Sequence, residues 1–257
     1  MTRGFYSLGS SMLTQNRMLS AISNNIANVK TVGFKKDMVI STTFKDMVMN
    51  RIENQKANPL DDVTMLRTAD ETFTIHSQGN LESTERALDF AILEEGFFKI
   101  RNVTTDEIVY SRNGSFNLDN EGYLILQGVG RVQNEQGDIY LGTDKIVATK
   151  YGEVYDENGD LLAEINTYNF DDYTQLRTVK EGMYKGSTNP ETNEEINPTL
   201  VENPQFMWKS IETSNVNAGE EMTNAMATQR VMQSVAQALK MYDTTLQTAT
   251  NQIAKLQ

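Results

Sequence analysis

Near its start the chain carries an apolar pattern that repeats every seven residues. The repeating positions are separated by alternating steps of three and four, with one polar member, and are Phe5, Leu8, Met12, Gln15, Leu19, Ile22, Ile26 and Val29. This spacing places them along one narrow stripe of an α-helix that packs lengthwise against another helix. We call this stripe the head seam. Gly33 follows it and is a candidate stop signal for the helix.

A second seven-residue pattern occupies the last part of the chain. Its members, here called the tail seam, are Val235, Leu239, Tyr242, Leu246, Ala249, Ile253 and Leu256, and the stripe extends backwards through Met232, Thr228 and Ala225. Asn217, followed three residues later by Glu220, has the spacing of a helix N-terminal cap. The pattern therefore predicts one helix from about Ala218 to near residue 257.

Two interpretations of these helices are open. They are either ordinary amphipathic helices that lie on the rest of the chain, or helices that need a partner. Two observations favour the second interpretation. The seams are narrow, and the helices lie at the ends of the chain, where an isolated helix is only marginally stable without packing. The simplest partners are each other, or copies of the same helices from neighbouring subunits.

The middle of the chain, from about Glu71, has a sequence pattern typical of short strands separated by tight turns. Branched and aromatic segments alternate with turn clusters, one of which, Asn113-Gly114-Ser115, is hairpin-like. Three further clusters set acids or amides before a glycine and then enter a strand, at residues 119–124, 134–139 and 156–161. This pattern predicts an antiparallel β-domain, either a sandwich or an irregular barrel. Residues 37–69 are compatible with a helix, an extended hairpin or a loop.

Composition excludes several classes of protein. The 257 residues include no Cys and one His, and the net charge is −12. A disulfide framework, a thiol nucleophile and a multi-histidine metal centre are therefore excluded, and the net charge argues against a nucleic-acid binder, which needs a basic surface. The charge is also unevenly distributed. Residues 1–36 carry five bases and no acid, residues 211–257 carry −1, and the middle therefore carries −16.

The sequence contains no recognisable catalytic or metal-binding constellation. His76 is predicted to be a surface or strand residue rather than a catalytic base. The stretch Asp156–Asp160 alternates oxygen ligands, but Thr167 occupies the twelfth position, where a calcium loop needs Glu, so a plain hairpin turn is favoured. We predict no catalytic, cofactor-binding or metal-binding residue and no enzymatic activity.

No targeting or membrane-spanning segment is predicted. Apolar and polar residues are interleaved in the first part of the chain, unlike the apolar run of a secretory signal. No window approaches the ~18–20 apolar residues of a transmembrane helix. If the protein leaves the cytoplasm, we expect it to use a route other than a cleaved signal.

Motifs along most of the chain resemble those of the flagellar rod and hook axial proteins. The head motif Asn24-Asn25-Ile26-Ala27-Asn28 is followed by Thr31, Gly33, Phe34 and Lys35. The segment 211–216 resembles the second signature of the family, with Glu221-Met222 and Gln229-Arg230 at the expected offsets. The stretches 78–81, 88–92, 96–98 and 110–116 resemble the β-region that rod and hook proteins share. At this length the chain is most similar to a basal-body rod protein of the proximal or distal type.

The resemblance implies an α+β fold and an assembly. It implies that the N- and C-terminal helices pair as a coiled coil lining an export channel, with the central antiparallel β-domain outside. It further implies export, unfolded and uncleaved, through the flagellar type III apparatus, and polymerisation into the drive shaft that joins motor to hook. The implied domains are residues 1–36 with 211–257 (helical), 37–76 with 186–210 (linker) and 77–185 (outer β-domain).

The implied partners are copies of the same chain, adjacent rod and hook proteins, the export apparatus, and the surrounding rings or peptidoglycan, with no nucleic acid and no membrane insertion. Other readings are a short hook or hook-associated protein and, in a different class, a ligand-binding or wall-degrading β-domain protein. The predicted assembly interface consists of Leu8, Met12, Leu19, Ile22, Asn24, Asn25, Ile26, Asn28, Thr31, Gly33, Phe34, Ser214, Asn215, Val216, Met222, Gln229, Arg230, Leu239, Tyr242, Leu246 and Ile253.

Overall fold

The structure is a computed structural model that describes residues 2–43, 47–53, 56–63, 67–103, 105–180, 182–186 and 198–254. It is an α+β fold, as predicted, with long helices α1 (Thr2–Ala27) and α2 (Ala218–Ala254). A 3-10 helix spans Tyr173–Gln175. The strands are β1 Lys36–Thr43, β2 Met47–Glu53, β3 Lys56–Val63, β4 Arg67–Ile75, β5 Leu81–Ser83, β6 Phe90–Ile92, β7 Phe98–Arg101, β8 Ile108–Ser111, β9 Phe116–Leu118, β10 Leu124–Leu126, β11 Gly130–Asn134, β12 Gly137–Asp138, β13 Ile146–Ala148, β14 Glu153–Asp156, β15 Leu161–Glu164, β16 Tyr168–Asn169, β17 Leu176–Lys180, β18 Met183–Gly186, β19 Thr199–Leu200, β20 Phe206–Trp208 and β21 Ser210–Glu212.

The chain divides into two compact units. The helical unit contains Met1–Ala27, Asp37–Ile75 and Asn217–Gln257, and the β unit contains Asn28–Lys36 and His76–Val216. In the helical unit, α1 contacts both α2 and β4. The strands of the helical unit pair as β1 with β4 and as the antiparallel hairpin β2–β3. For the described residues between 37 and 69, the pairing therefore agrees with the extended hairpin rather than with a helix or a loop.

The beginning of α2 agrees with the sequence pattern, and the end of α1 does not. The Oδ1 atom of Asn217 accepts hydrogen bonds from the backbone N–H groups of Gly219 and Glu220, at 3.0 and 3.4 Å, which is N-terminal capping. The helix α1 ends at Ala27, so Val29, the last member of the head seam, lies beyond it. Gly33 is therefore not the helix stop, because five residues lie between it and Ala27.

Burial along the two helices follows different stripes. In α2 the less exposed positions include seam members and their extension towards the N-terminus, namely Glu221, Ala225, Thr228, Met232, Val235, Leu239, Tyr242 and Ala249. Among the side chains of α1 that the structure describes, the buried ones are Thr14 and Asn25, each one residue before a member of the head seam. One residue turns a helix by about 100°. The most buried stripe of α1 is therefore polar, and the apolar head seam is left half-buried or exposed.

The main sheet of the β unit is antiparallel, as predicted. Its strands run in the order β17–β18–β8–β7–β11–β10–β9, and β12 pairs with β11. Smaller sheets join β13–β14–β15, β16–β19, β20–β6 and β21–β5. The principal core contains Phe90, Phe98, Phe116 and Phe206, and a second, aromatic cluster contains Phe97, Tyr110, Tyr168, Phe170 and Tyr184.

Three of the four predicted glycine turns connect paired strands. Residues 119–123 join β9 to β10, residues 134–137 join β11 to β12, and Asp156–Asp160 joins β14 to β15. Gly122, Gly137 and Gly159 have positive φ. The hairpin predicted at Asn113–Ser115 is wrong, because β8 and β9 flank that segment and do not pair with each other.

Candidate functional site

The segment that follows α1 is a compact turn built by the head motif. The side chain of Asn28 is buried, and its Oδ1 atom accepts a hydrogen bond from the Thr31 hydroxyl at 3.0 Å. Two backbone hydrogen bonds also stabilise the turn. Thr31 N–H donates to the Asn28 carbonyl at 3.1 Å, and Phe34 N–H donates to the Thr31 carbonyl. The spacing of Asn28, Thr31 and Phe34 in the motif is therefore local turn chemistry.

Gly33 stands where no side chain fits. Its φ is +70°, and an added Cβ would lie 2.5 Å from the backbone nitrogen of Asn113. Its own N–H donates to the carbonyl of Glu212 at 2.8 Å. A glycine is therefore required both by the backbone conformation and by the close approach of another segment. Phe34, beside it, is buried.

A buried charge cluster joins three motifs that are distant in sequence. Lys35 Nζ lies 2.5 Å from Glu212 Oε1, and Arg112 Nη1 lies 3.3 Å from Glu212 Oε2. Lys35, Glu212 and Arg112 are 1%, 1% and 4% exposed. Backbone groups complete the cluster, because Lys35 donates to the Ser77 carbonyl at 2.8 Å and Gly79 N–H donates to Glu212 Oε1 at 2.8 Å. Glu212 is thus the shared anion of two buried cations.

Asn215 connects the tail motif to the segment after α1 and to Ser77. Its Oδ1 atom accepts the N–H of Lys36 at 2.7 Å, and its Nδ2 atom donates to the carbonyl and the hydroxyl of Ser77. The neighbouring Ser214 hydroxyl accepts the N–H of Val216. The tail motif 212–216 therefore ties the segment after α1 to residues 77–79 inside the β unit.

The cluster shifts the ionisation of its own lysine and of the single histidine. Burial lowers the pKa of Lys35, and the charge of Glu212 opposes that shift. The ring of His76 lies 5.8 Å from that of Phe97 and 5.0 Å from those of Tyr173 and Tyr184. Burial, followed by the positive charges of Lys35 and Arg112, lowers the pKa of His76 from 6.5 to about 4. His76 is therefore neutral at pH 7.

We expect His76 to make the β unit less stable in mild acid. Since its pKa is lower in the folded chain, its contribution is fully present above pH 6.5 and is lost as the pH falls towards 4. Between pH 7 and pH 5 this loss is about 2 kcal/mol of unfolding free energy. The variant His76→Gln should not show this loss of unfolding free energy. Urea titrations at the two pH values, followed by the fluorescence of Trp208, the single Trp, measure it. Equal losses in the variant and the parent would contradict the assignment.

In the helical unit, the head motif forms a second buried polar network. Asn25 is 1% exposed, and its Nδ2 atom donates to the Asp37 carbonyl at 2.8 Å and to Glu221 Oε2 at 3.1 Å. Its Oδ1 atom accepts the Asp37 N–H at 3.0 Å. The Asp37 carboxylate accepts a hydrogen bond from the Thr74 hydroxyl, and burial raises the pKa of Asp37. Asn25 therefore joins α1, β1 and α2.

The predicted interface residues fall into three groups by exposure. Buried within the chain are Asn25, Asn28, Gly33, Phe34, Ser214 and Val216. Half-buried are Leu8, Leu19, Ile22, Asn24, Ile26, Thr31, Asn215, Leu239 and Tyr242. Exposed are Met12, Met222, Gln229, Arg230 and Leu246, and the side chain of Ile253 lies outside the described part of the chain.

Sequence reasoning assigned no role to the charged residues of the two networks. Lys35, Arg112 and Glu212 lie inside the motifs that carried the family resemblance, and Glu221 follows the α2 cap. The available signal was that Arg112 and Glu212 are the single charged residues of the stretches 110–116 and 211–216. Their partners, however, are 100 to 196 residues away in the chain, so the spacing could not reveal the pairs.

Comparison with known proteins identifies the motifs as parts of one family. The profile "Flagella basal body rod protein" matches residues 5–35, which include α1 and the turn after it. The profile "Flagellar hook protein FlgE/F/G D1 domain" matches residues 91–164 of the β unit. The profile "Flagellar basal body rod FlgEFG protein C-terminal" matches residues 209–253, which include Glu212 and most of α2.

Similar proteins align over nearly the whole chain. A Bacillus subtilis protein named flagellar basal-body rod protein FlgG is 31% identical over 269 residues, covering 98% of this chain and 99% of the relative. A protein of the same name from Buchnera aphidicola subsp. Schizaphis graminum is 30% identical, covering 89% and 91%. The flagellar hook-basal body complex protein FlhO of B. subtilis is 26% identical over the full length of both chains. The chain therefore belongs to the flagellar basal-body rod protein family.

Proposed function

We propose that this chain is a structural subunit of the flagellar basal-body rod. In this role it polymerises with copies of itself and with adjacent rod and hook proteins, and the polymer is the drive shaft that joins motor to hook. Membership of the rod protein family supports the location in the basal body. The relative named as a hook-basal body complex protein supports neighbouring axial proteins as partners.

The observation that carries this proposal is the uncovered apolar surface on both long helices. Phe5, Met12 and Leu13 of α1 are 47%, 38% and 60% exposed. On α2, Met222, Met226, Met241 and Leu246 are exposed as well. Apolar side chains that cluster on a protein surface mark sites of association, and the exposed Met222 and Met226 lie one helical turn apart on α2. A single chain leaves them in water, whereas neighbouring helices in a polymer would cover them.

We further propose that α1 and α2 pair as a coiled coil. The proposed helical region consists of residues 1–36 and 211–257, the linker region of residues 37–76 and 186–210, and the outer β region of residues 77–185. The contact between α1 and α2 and the seven-residue spacing of burial in α2 support the pairing. In this arrangement the exposed seam members contact neighbouring subunits, and the buried Asn25, Asn28 and Gly33 shape the helix ends that present them.

Export through the flagellar type III apparatus is part of the same proposal. The subunit is synthesised in the cytoplasm and crosses unfolded, without a cleaved signal. The absence of Cys is compatible with passage from a reducing to an oxidising compartment, since no thiol can be oxidised on the way. Neither of the two described helices has the long apolar stretch that crossing a bilayer requires. The role is structural rather than catalytic.

Leu246→Asp tests the proposal directly. Leu246 is exposed, so a charge there should leave the fold of the monomer intact while abolishing polymerisation. The purified variant and parent would be compared by sedimentation velocity across a concentration series, with helical content followed by circular dichroism. Leu19→Asp, at a half-buried position of the head seam, should also abolish polymerisation with the β unit still folded.

Gln247→Asp is the matched control, because it introduces the same charge one position away from the tail seam, at an exposed residue. It should polymerise like the parent. Normal polymerisation of Leu246→Asp would overturn the proposal. Loss of helical content in that variant would instead indicate that the tail seam is needed within the single chain.

A further inference from the structure

The small sheet β13–β14–β15 carries an uncovered apolar row on one face. Val147, Tyr155 and Leu161 lie directly opposite one another across the three strands, so their side chains share a face. Val147 is 51% exposed and Leu161 is 59% exposed, while Tyr155 is half-buried. Val154, which points to the opposite face, is buried in the principal core. The row is therefore the outer face of the sheet.

Two carboxylates lie on the same outer face. Glu153 is directly opposite Glu164, and like charges in this arrangement repel each other. The Glu153 carboxylate accepts hydrogen bonds from the hydroxyls of Thr149 and Tyr155, each at 3.2 Å. Within the described part of the chain neither carboxylate forms an ion pair. We call Val147, Glu153, Tyr155, Leu161 and Glu164 the acidic face.

The strand β17 combines basic side chains with an apolar one. It ends the main sheet and, among the described strands, pairs only with β18. Arg177 lies directly opposite Lys185, so two cations are adjacent. Arg177 has no ion-pair partner among the described residues, whereas Lys185 makes a long, solvent-exposed ion pair with Glu107 at 4.0 Å. Val179, where the strand register shifts, is 54% exposed. We call Arg177, Val179, Lys180 and Lys185 the basic edge.

We propose that the acidic face of one copy of this chain binds the basic edge of the next copy. The two cations Arg177 and Lys185 would neutralise Glu153 and Glu164, so that opposite charges would relieve the repulsion within each like-charged pair. Val179 would pack on the apolar row of the acidic face. This inference rests on the proposed function and adds a contact between the β units of neighbouring subunits.

The geometry of such a contact suits a polymer. The two surfaces are different patches of the same chain, so the interface is heterologous, and a heterologous interface repeats from copy to copy into a ring or a helical filament. An interface between two identical patches would stop at a dimer.

The absence of Cys makes the contact testable by disulfide crosslinking. In the double variant Leu161→Cys with Val179→Cys, each subunit should crosslink to two neighbours, so oxidation of the polymer should produce a ladder of covalent multimers on denaturing gels. Each single variant should yield no species above a dimer. The matched control pairs Val103→Cys with Val179→Cys, since Val103 is 57% exposed and lies outside the acidic face.

Charge reversal provides an independent measurement. Glu153→Lys with Glu164→Lys should raise the concentration needed for polymerisation by at least about tenfold, because cations would then face cations. Arg177→Glu with Lys185→Glu should have the same effect. The chain with all four reversals has a basic face and an acidic edge and should polymerise again. Trp208 fluorescence checks that each variant is folded.

The outcomes separate this inference from the proposed function. If the parent chain polymerises but the double cysteine variant forms no ladder and the four reversals do not restore assembly, the inference is wrong and the function stands. The acidic face would then bind a different protein, and the charges of β17 would serve only to prevent edge pairing. If the parent chain does not polymerise at all, the proposed function fails, and the inference fails with it.

Discussion

Replacing Glu212 with Gln is expected to destabilise the β unit by about 3–5 kcal/mol. The change keeps the shape of the side chain but removes the only carboxylate that pairs with both Lys35 and Arg112 in the described structure. Two cations would then be buried without an anion, at side chains that are 0% and 5% exposed. Urea unfolding followed by Trp208 fluorescence measures the loss.

The matched control is Glu157→Gln, which removes an ion pair with Lys145 at 3.8 Å whose side chains are 65% and 70% exposed. Its effect should be at most about 1 kcal/mol, because water already solvates both charges. Adding Lys35→Met to Glu212→Gln should recover part of the lost stability, since one unpaired cation is removed with it. Equal effects of the two Glu→Gln changes would contradict the importance of the buried cluster.

Replacing Asn25 with Asp is expected to destabilise the helical unit by about 3 kcal/mol or more. The change is nearly isosteric, but it replaces the amide that donates to the Asp37 carbonyl and to Glu221 with a second carboxylate. A buried carboxylate about 3 Å from Glu221 must either be protonated or repel it. Thermal melting followed by circular dichroism at 222 nm reports the loss of α1 and α2.

Asn16→Asp makes the same chemical change at an exposed position of α1 and should shift the melting temperature by no more than a few degrees. Because the carboxyl group introduced by Asn25→Asp would be more easily tolerated when protonated, the destabilisation of that variant should diminish towards pH 4, whereas that of Asn16→Asp should not. An Asn25→Asp variant as stable as the parent at pH 7 would show that the network contributes little.

The presence of both helices and the start of α2 followed from the sequence because their signals are local. The seven-residue spacing and the cap at Asn217 lie within the segment they describe, and α2 begins at Ala218 as the pattern predicted. The end of α1 was misjudged for the same reason. Thr31 forms a turn with Asn28, and these hydrogen bonds favour the turn over continuation of the helix. The spacing of apolar residues gives no information about such contacts.

The glycine turns of the β unit also show that local signals were predictable and contacts with distant segments were not. Asp156–Asp160 closes a hairpin because both strands are adjacent in the chain and the turn alone sets their register. Asn113–Ser115 has equally good turn residues, yet β8 and β9 pair with other strands. Gly114 is close to the carbonyl of Phe90 instead, so a distant segment determines its surroundings.

By itself the sequence determined the α+β class, the two long helices with their apolar seams, the antiparallel β-domain and the family. These properties depend on periodicity, turn chemistry and short motifs, which are all encoded by neighbours in the chain. Only the tertiary structure decided that Lys35, Arg112 and Glu212 form one buried cluster, and that Asn25 rather than an apolar residue occupies the buried side of α1. The reason is that a buried charge or amide is stable only beside its partner, and those partners come from remote segments that folding brings together.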